Sequence, residues 1–81
     1  DPGVRRLRWR CRRGTKELDR ILGGFFEEDY AGLNDAQQSA FAELLEQQDP
    51  LIYDWLMGAE VAQDSGFAEL VQMMRRKYSL E

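Results

Sequence analysis

Apolar residues recur along this chain at helical spacing, and no segment alternates apolar and polar residues as a half-buried strand would. The widest stripe is Leu18, Ile21, Leu22, Phe25 and Phe26, spaced i, i+3, i+4, i+7 and i+8, on a helix predicted to start at Thr15. Before it, Val4 to Arg13 reads as a short helix whose Leu7 and Cys11, four apart, share a buried face. Trp9 falls off that face, so it either lies under arginine stems or is exposed for a partner. Gly14 is predicted to end the first helix, because glycine takes the left-handed conformation of a helix stop without steric cost. Gly23 and Gly24 lie opposite the second stripe and cost a helix roughly 1 kcal/mol each relative to alanine. They therefore predict a bend, an early end or close approach of another backbone.

Start and stop signals divide the rest. Asn34 followed by Gln37 predicts a capping box, after which Phe41, Leu44 and Leu45 face inward. Asp49 as cap with Pro50 in the first turn begins a further helix, whose stripe is Ile52, Trp55 and Leu56 and whose stop is Gly58. A last helix starts at Asp64 or Ser65 and carries Phe67, Leu70, Val71, Met74 and Tyr78, with Arg75, Arg76 and Lys77 opposing the partial negative charge of its end. The expected fold is all-α: a compact bundle of five short helices forming one domain over residues 1–81, with 1–3 and 80–81 as loose ends.

A domain of 81 residues buries only about 60–65% of the surface of its unfolded chain. No apolar run reaches the ~18–20 residues of a membrane span, and the N-terminus lacks a signal-peptide pattern. One cysteine, Cys11, cannot form an internal disulfide, which fits a reducing compartment, and small size without a transit segment makes the bacterial cytoplasm the expected location. Charge changes the picture more than composition does. The net charge is −4, yet six arginines fall within residues 5–13, while residues 17–69 hold thirteen acidic residues against Arg20 alone. Closely spaced like charges lower stability unless something opposite lies against them, so the arginine-rich stretch is the first candidate for a working surface.

Candidate chemistry is sparse. The chain has no histidine, which removes the usual general base and the commonest transition-metal ligand, and one cysteine cannot build a zinc site. Arginines around Cys11 would lower its pKa, but its spacing favours a buried core thiol. Glu27, Glu28 and Asp29 lack the alternating ligands of a calcium loop and read as a solvated helix end. No phosphate loop or nucleophile elbow is present, so no metal site, no catalytic residue and no enzyme activity are expected.

The arginine cluster fits nucleic acid, an acidic protein or lipid surface, or a merely solvated face. An acidic body that repels phosphate, and the lack of a recognition motif, argue against nucleic acid. Within the cluster, Arg13-Gly14-x-x-Glu17 admits two accounts. Gly14 is a helix stop with Glu17 in the next first turn, or a side-chain-free position that lets another backbone approach between an arginine and a carboxylate.

The runs Arg8-Trp9-Arg10-Cys11-Arg12-Arg13-Gly14-Thr15-Lys16-Glu17-Leu18-Asp19 and Asp49-Pro50-Leu51-Ile52-Tyr53-Asp54-Trp55-Leu56-Met57-Gly58, with Leu44-Leu45-Glu46 between them, resemble the SdhE family, bacterial relatives of mitochondrial succinate dehydrogenase assembly factor 2. The resemblance implies a five-helix monomer that binds the flavoprotein subunit of succinate dehydrogenase, and of fumarate reductase, and promotes covalent attachment of FAD to a histidine of that subunit. It implies an assembly factor with no tightly bound FAD of its own, no nucleic-acid partner and no stable membrane insertion. By the same resemblance Arg13, Gly14 and Glu17 carry the function, with Trp9, Arg12 and Asp19 as neighbours. Gly14 would allow close approach, Glu17 would orient partner groups, and Arg13 would pair with a partner carboxylate. The alternative is an antitoxin-like or regulatory partner of a small membrane protein, for which the basic face is the sequence support.

Overall fold

Helix α2, Lys16–Asp29, is the longest helix of the structure, a computed structural model that describes residues 2–80. Its whole apolar stripe, Leu18, Ile21, Leu22, Phe25 and Phe26, is buried. Thr15 starts it from an extended conformation, its hydroxyl accepting from the Leu18 amide at 3.2 Å. Around α2 lie α1 (Pro2–Arg10), α3 (Asp35–Leu44), α4 (Asp49–Met57) and α5 (Ser65–Lys77), with one 3-10 turn at Tyr30–Gly32 after α2. No strand occurs among the described residues. The result is the expected all-α bundle.

The core forms where the predicted stripes meet. Phe41 of α3 packs on Phe25 and Phe26 of α2, with ring centroids 5.8 and 6.3 Å apart, and Trp55 of α4 meets Phe67 of α5 at 5.7 Å. Such tilted pairs add about 0.5–1.5 kcal/mol each beyond the area they bury. The capping box closes as expected: the Gln37 amide donates to Asn34 Oδ1 at 2.8 Å and the Asn34 amide to Gln37 Oε1 at 2.9 Å. Gly58 ends α4 in the left-handed region at φ 82°, and Asp64 caps α5 by accepting from the Phe67 amide at 3.0 Å.

Several expectations fail, each for a physical reason. The first helix runs Pro2–Arg10, so residues 2 and 3 are helical and 11–13 are not. Arg12 and Arg13 leave the helix because Arg13 is drawn to other elements, as described below. Gly14 is not in the left-handed region, and Gly58 is the one glycine with positive φ among the described residues. Asp49 does not cap α4: Gln48 occupies the cap position without a side-chain bond, and Asp49 is the first helical residue. Leu80 packs against the core, with its amide bonded to the Arg75 carbonyl at 2.9 Å, so it is no loose end. The remaining terminal positions, Asp1 and Glu81, lie outside the described residues.

Helix α2 also runs through Gly23 and Gly24 without ending. At Gly24 the close approach is that of a side chain, the Tyr78 hydroxyl, rather than another backbone. The Tyr78 ring in turn sits between cations, 5.2 Å from the Arg20 guanidinium and 5.7 Å from Lys77 Nζ. The acidic end of α2 is paired rather than simply solvated. Lys77 Nζ lies 2.8 Å from Glu28 and 3.0 Å from Asp29, and Arg8 Nε lies 2.6 Å from Glu27. Both carboxylates, Glu28 first, raise the Lys77 pKa.

The two adjacent glycines should respond differently to alanine. A Cβ at Gly23 meets nothing within 4 Å, so Gly23→Ala should add about 1 kcal/mol and raise the melting temperature by roughly 4–8 °C. Gly24→Ala should gain less or lose stability, because its Cβ must displace the Tyr78 ring. Thermal melts of the two variants measure the difference.

Candidate functional site

The arginine-rich stretch is organised by Arg13. Its guanidinium donates from Nε to Asp49 Oδ1 at 2.7 Å, from Nη1 to the carbonyls of Leu45 and Arg10 at 2.8 Å each, and from Nη2 to the Gln47 carbonyl at 2.7 Å. The Arg13 side chain is only 11% exposed. A cation so enclosed persists only when its donors find acceptors, and four of its five N–H groups do. Leu45 and Gln47 lie where α3 ends, and a helix end leaves unpaired carbonyls and a partial negative charge that a guanidinium meets well. One side chain therefore joins the end of α1, the end of α3 and the start of α4.

The backbone beside it is held by two carboxylates. The Arg13 amide donates to Asp19 of α2, and the Gly14 amide donates to Asp49 Oδ2 at 3.0 Å. The Gly14 amide first, and the Arg13 guanidinium second, hold the Asp49 carboxyl below the usual carboxylate range. Arg13, Gly14 and Asp19 are thus brought together. The partner carboxylate expected for Arg13 finds its place already taken, by Asp49 of the same chain.

Gly14 itself is exposed. A Cβ added there would meet Asp49 Oδ2 at 3.6 Å, ordinary van der Waals contact. Since α1 has ended four residues earlier and φ is not positive, the helix-stop account of this glycine is removed. The fold leaves room for a side chain at position 14. Glu17 lies in the first turn of α2 with its side chain 44% exposed, near Arg20 Nη2 at a long 3.5 Å. An exposed pair of that length contributes little and leaves the carboxylate free to change partners.

Trp9 is 69% exposed, with the Arg12 guanidinium 5.4 Å from its ring centroid. One arginine lies on one side and the ring is otherwise open, so of the two expectations exposure describes it and cover by arginine stems does not. The side chains of Arg5, Arg6 and Arg10 pair with no carboxylate among the described residues. Cys11 is buried, and burial pushes its thiol up to about 11 although Arg13 pulls the other way. That is a core thiol. Among the described residues no three His, Cys, Asp or Glu side chains are placed to hold a metal, and no helix is long and apolar enough to cross a membrane.

Two features escaped the sequence reading. An apolar groove of about 440 Å³ runs beside Gly14 between Thr15, Leu18, Asp49, Pro50, Tyr53 and Asp54. Tyr53 stands out on it because it falls off the Ile52, Trp55, Leu56 stripe, a signal present in the sequence. The bonds of Asp49 carried no such signal, since Asp-Pro is an ordinary helix start.

Removing the two neighbouring arginines should separate scaffold from surface. Arg13→Ala strands the Leu45 and Gln47 carbonyls and Asp49, and should cost about 2–4 kcal/mol in denaturant unfolding. Arg12→Ala, losing one exposed cation–π contact, should cost no more than about 1 kcal/mol.

Comparison with known proteins accords with the resemblance. The family model described as "Flavinator of succinate dehydrogenase" matches residues 5–78. The FAD assembly factor SdhE of Coxiella burnetii is 39% identical over 72 residues, covering 89% of this chain and 88% of that one. That of Yersinia pseudotuberculosis is 40% identical over 72 residues, covering 89% and 82%, and that of Vibrio parahaemolyticus 42% over 66 residues, covering 82% and 77%. With the match spanning all five helices, the chain belongs to the SdhE family, the flavinators of succinate dehydrogenase.

Proposed function

We propose that this chain is a monomeric assembly factor of the bacterial cytoplasm that binds the flavoprotein subunit of succinate dehydrogenase, and that of fumarate reductase, and promotes covalent attachment of FAD. The observation that carries the reading is Gly14: exposed, of ordinary backbone conformation, and with room for a Cβ that the fold does not exclude. A site that needs no side chain for its own packing is suited to a neighbour that comes close. In this reading the partner's backbone passes over Gly14, and Glu17 bonds polar groups of the partner near the flavin. Arg13 positions both from behind rather than touching the partner.

The chain contributes conformational selection, not chemistry. It has no histidine of its own, and in this reading the bond forms on a histidine of the partner. FAD is likewise held by the partner, and the isolated chain has no dinucleotide fingerprint with which to hold it tightly. The basic α1 face with its exposed Trp9 favours one other reading, a regulatory partner of a small membrane protein. Capture of a specific membrane protein from cells lacking the flavoprotein would support that instead.

Cells lacking this protein should lose covalent flavin on the flavoprotein subunit, read as in-gel flavin fluorescence. Wild type should restore it, and Glu17→Ala or Gly14→Arg should restore at least about tenfold less. Full restoration by both variants would move the site elsewhere. Unchanged flavin in the absence of the protein would reject the function.

A further inference from the structure

Asp49 enters the fold in an unexpected way. As the first residue of α4 and just before Pro50, it stands where an aspartate ordinarily serves its own helix. Yet no bond from its carboxylate to an α4 amide is present, and the first turn of α4 is closed by the Gln48 carbonyl, which accepts from the Leu51 and Ile52 amides at 3.1 Å each. Both carboxylate oxygens are turned to the segment between α1 and α2. Oδ1 takes Arg13 Nε at 2.7 Å and Oδ2 takes the Gly14 amide at 3.0 Å.

Arg13 is anchored several times over, since its guanidinium also donates to the carbonyls of Arg10, Leu45 and Gln47; its neighbours on either side have fewer bonds. Arg12 is held through its amide to the Trp9 carbonyl at 3.0 Å, and Arg13 through its amide to Asp19. At Gly14, the amide bond to Asp49 is the hydrogen bond that fixes the residue. Glycine has the widest backbone freedom of any residue, so without such a bond this position would sample many orientations. Thr15 then caps α2, whose buried stripe fixes the direction in which Glu17 leaves the surface, so the bond from Asp49 sets where Gly14 lies relative to Glu17. The other side of Asp49 lines the apolar groove with Pro50 and Tyr53, which places groove and glycine in fixed register.

We infer that Asp49 is a positioning residue for the partner-binding site: its carboxylate clamps Arg13 and Gly14 together from α4, and so presets the backbone that carries Gly14 and Glu17 for the flavoprotein. The inference rests on the function proposed above. A binding surface held in its bound shape avoids the ordering cost that a mobile one meets on association. The competing account gives Asp49 a role in stability alone, as an acidic residue in the first turn of α4 and an ion-pair partner of Arg13.

Asp49→Asn separates the two. It keeps the size of the side chain but puts an NH2 donor where one carboxylate oxygen stood, so the arrangement in which Oδ1 takes Arg13 and Oδ2 takes Gly14 is lost. Val71→Ala is the control, a buried residue of α5 that takes part in none of these bonds and loses stability by opening a small cavity. Calorimetric titration into purified flavoprotein subunit, at a temperature where all three proteins are folded, should find Asp49→Asn weakened at least about tenfold and Val71→Ala within about twofold of wild type. Asp49→Asn within about twofold of wild type, or weakened no more than Val71→Ala, would overturn the inference.

A second readout uses the free chain. In nitrogen-15 NMR spectra, Asp49→Asn should move the Gly14, Thr15 and Glu17 amide signals and speed hydrogen exchange at Gly14, whereas Val71→Ala should leave them in place. Unmoved signals at those positions would refute the clamp whatever the partner does. Wild type that fails to bind the flavoprotein while the clamp signals respond would instead reject the proposed function and, with it, the role of the clamp there.

Discussion

One guanidinium holds the site end of this small domain together. Arg13 reaches four acceptors, three of them main-chain carbonyls, in the gap where α1, α3 and α4 converge. Only arginine has the donors and the fixed planar geometry for this; a lysine ammonium could satisfy fewer of these acceptors and would give up its hydration less readily. The arrangement also answers a local electrostatic need, because the carboxyl end of α3 gains a cation and the amino end of α4 has an acidic residue beside it. Arg75 repeats the device on the other side of the bundle, donating from Nη1 to the Leu56 carbonyl at 2.7 Å near the end of α4.

From that internal bond the surface follows. Because Arg13 and Asp49 satisfy one another and the backbone around them, Gly14 is held without filling the space above it. Glu17, Trp9 and Arg12 remain at the surface with weak or partial partners. Among the described residues, the dense positive charge of residues 5–13 meets a carboxylate side chain in two places, where Arg8 meets Glu27 and Arg13 meets Asp49. The first is exposed and contributes little, while the second is largely enclosed. A stiff interior and an open, charged exterior thus occur within one short stretch, which suits a surface that must be read by another protein.

The helices were legible because their signals are local. Apolar stripes three and four residues apart, the Asn34–Gln37 box and the stop at Gly58 all depend on neighbours in sequence. What was not legible depends on residues far apart. The early end of α1, the ordinary conformation of Gly14 and the turning of Asp49 away from its own helix all follow from bonds between residues 32 to 36 positions apart. Gly24 is similar, since its reason is Tyr78 in the last turn of the chain. At the candidate site, the family resemblance pointed to Arg13, Gly14 and Glu17, but not to where the fold puts each of them. A sequence shows that Arg13 and Glu17 are charged; it does not show which of the two is occupied inside the fold.

We propose that Gly14 and Glu17, with the groove beside them, face the flavoprotein while the rest of the bundle supports them. Hydrogen–deuterium exchange of this chain, alone and with the purified flavoprotein subunit, tests it most directly. The account predicts new protection concentrated in the segment containing Gly14 and Glu17, with the groove residues around Tyr53 included and the outer face of α5 unchanged. Protection confined to α5, or to α1 before Trp9 with Gly14 and Glu17 unaffected, would contradict it.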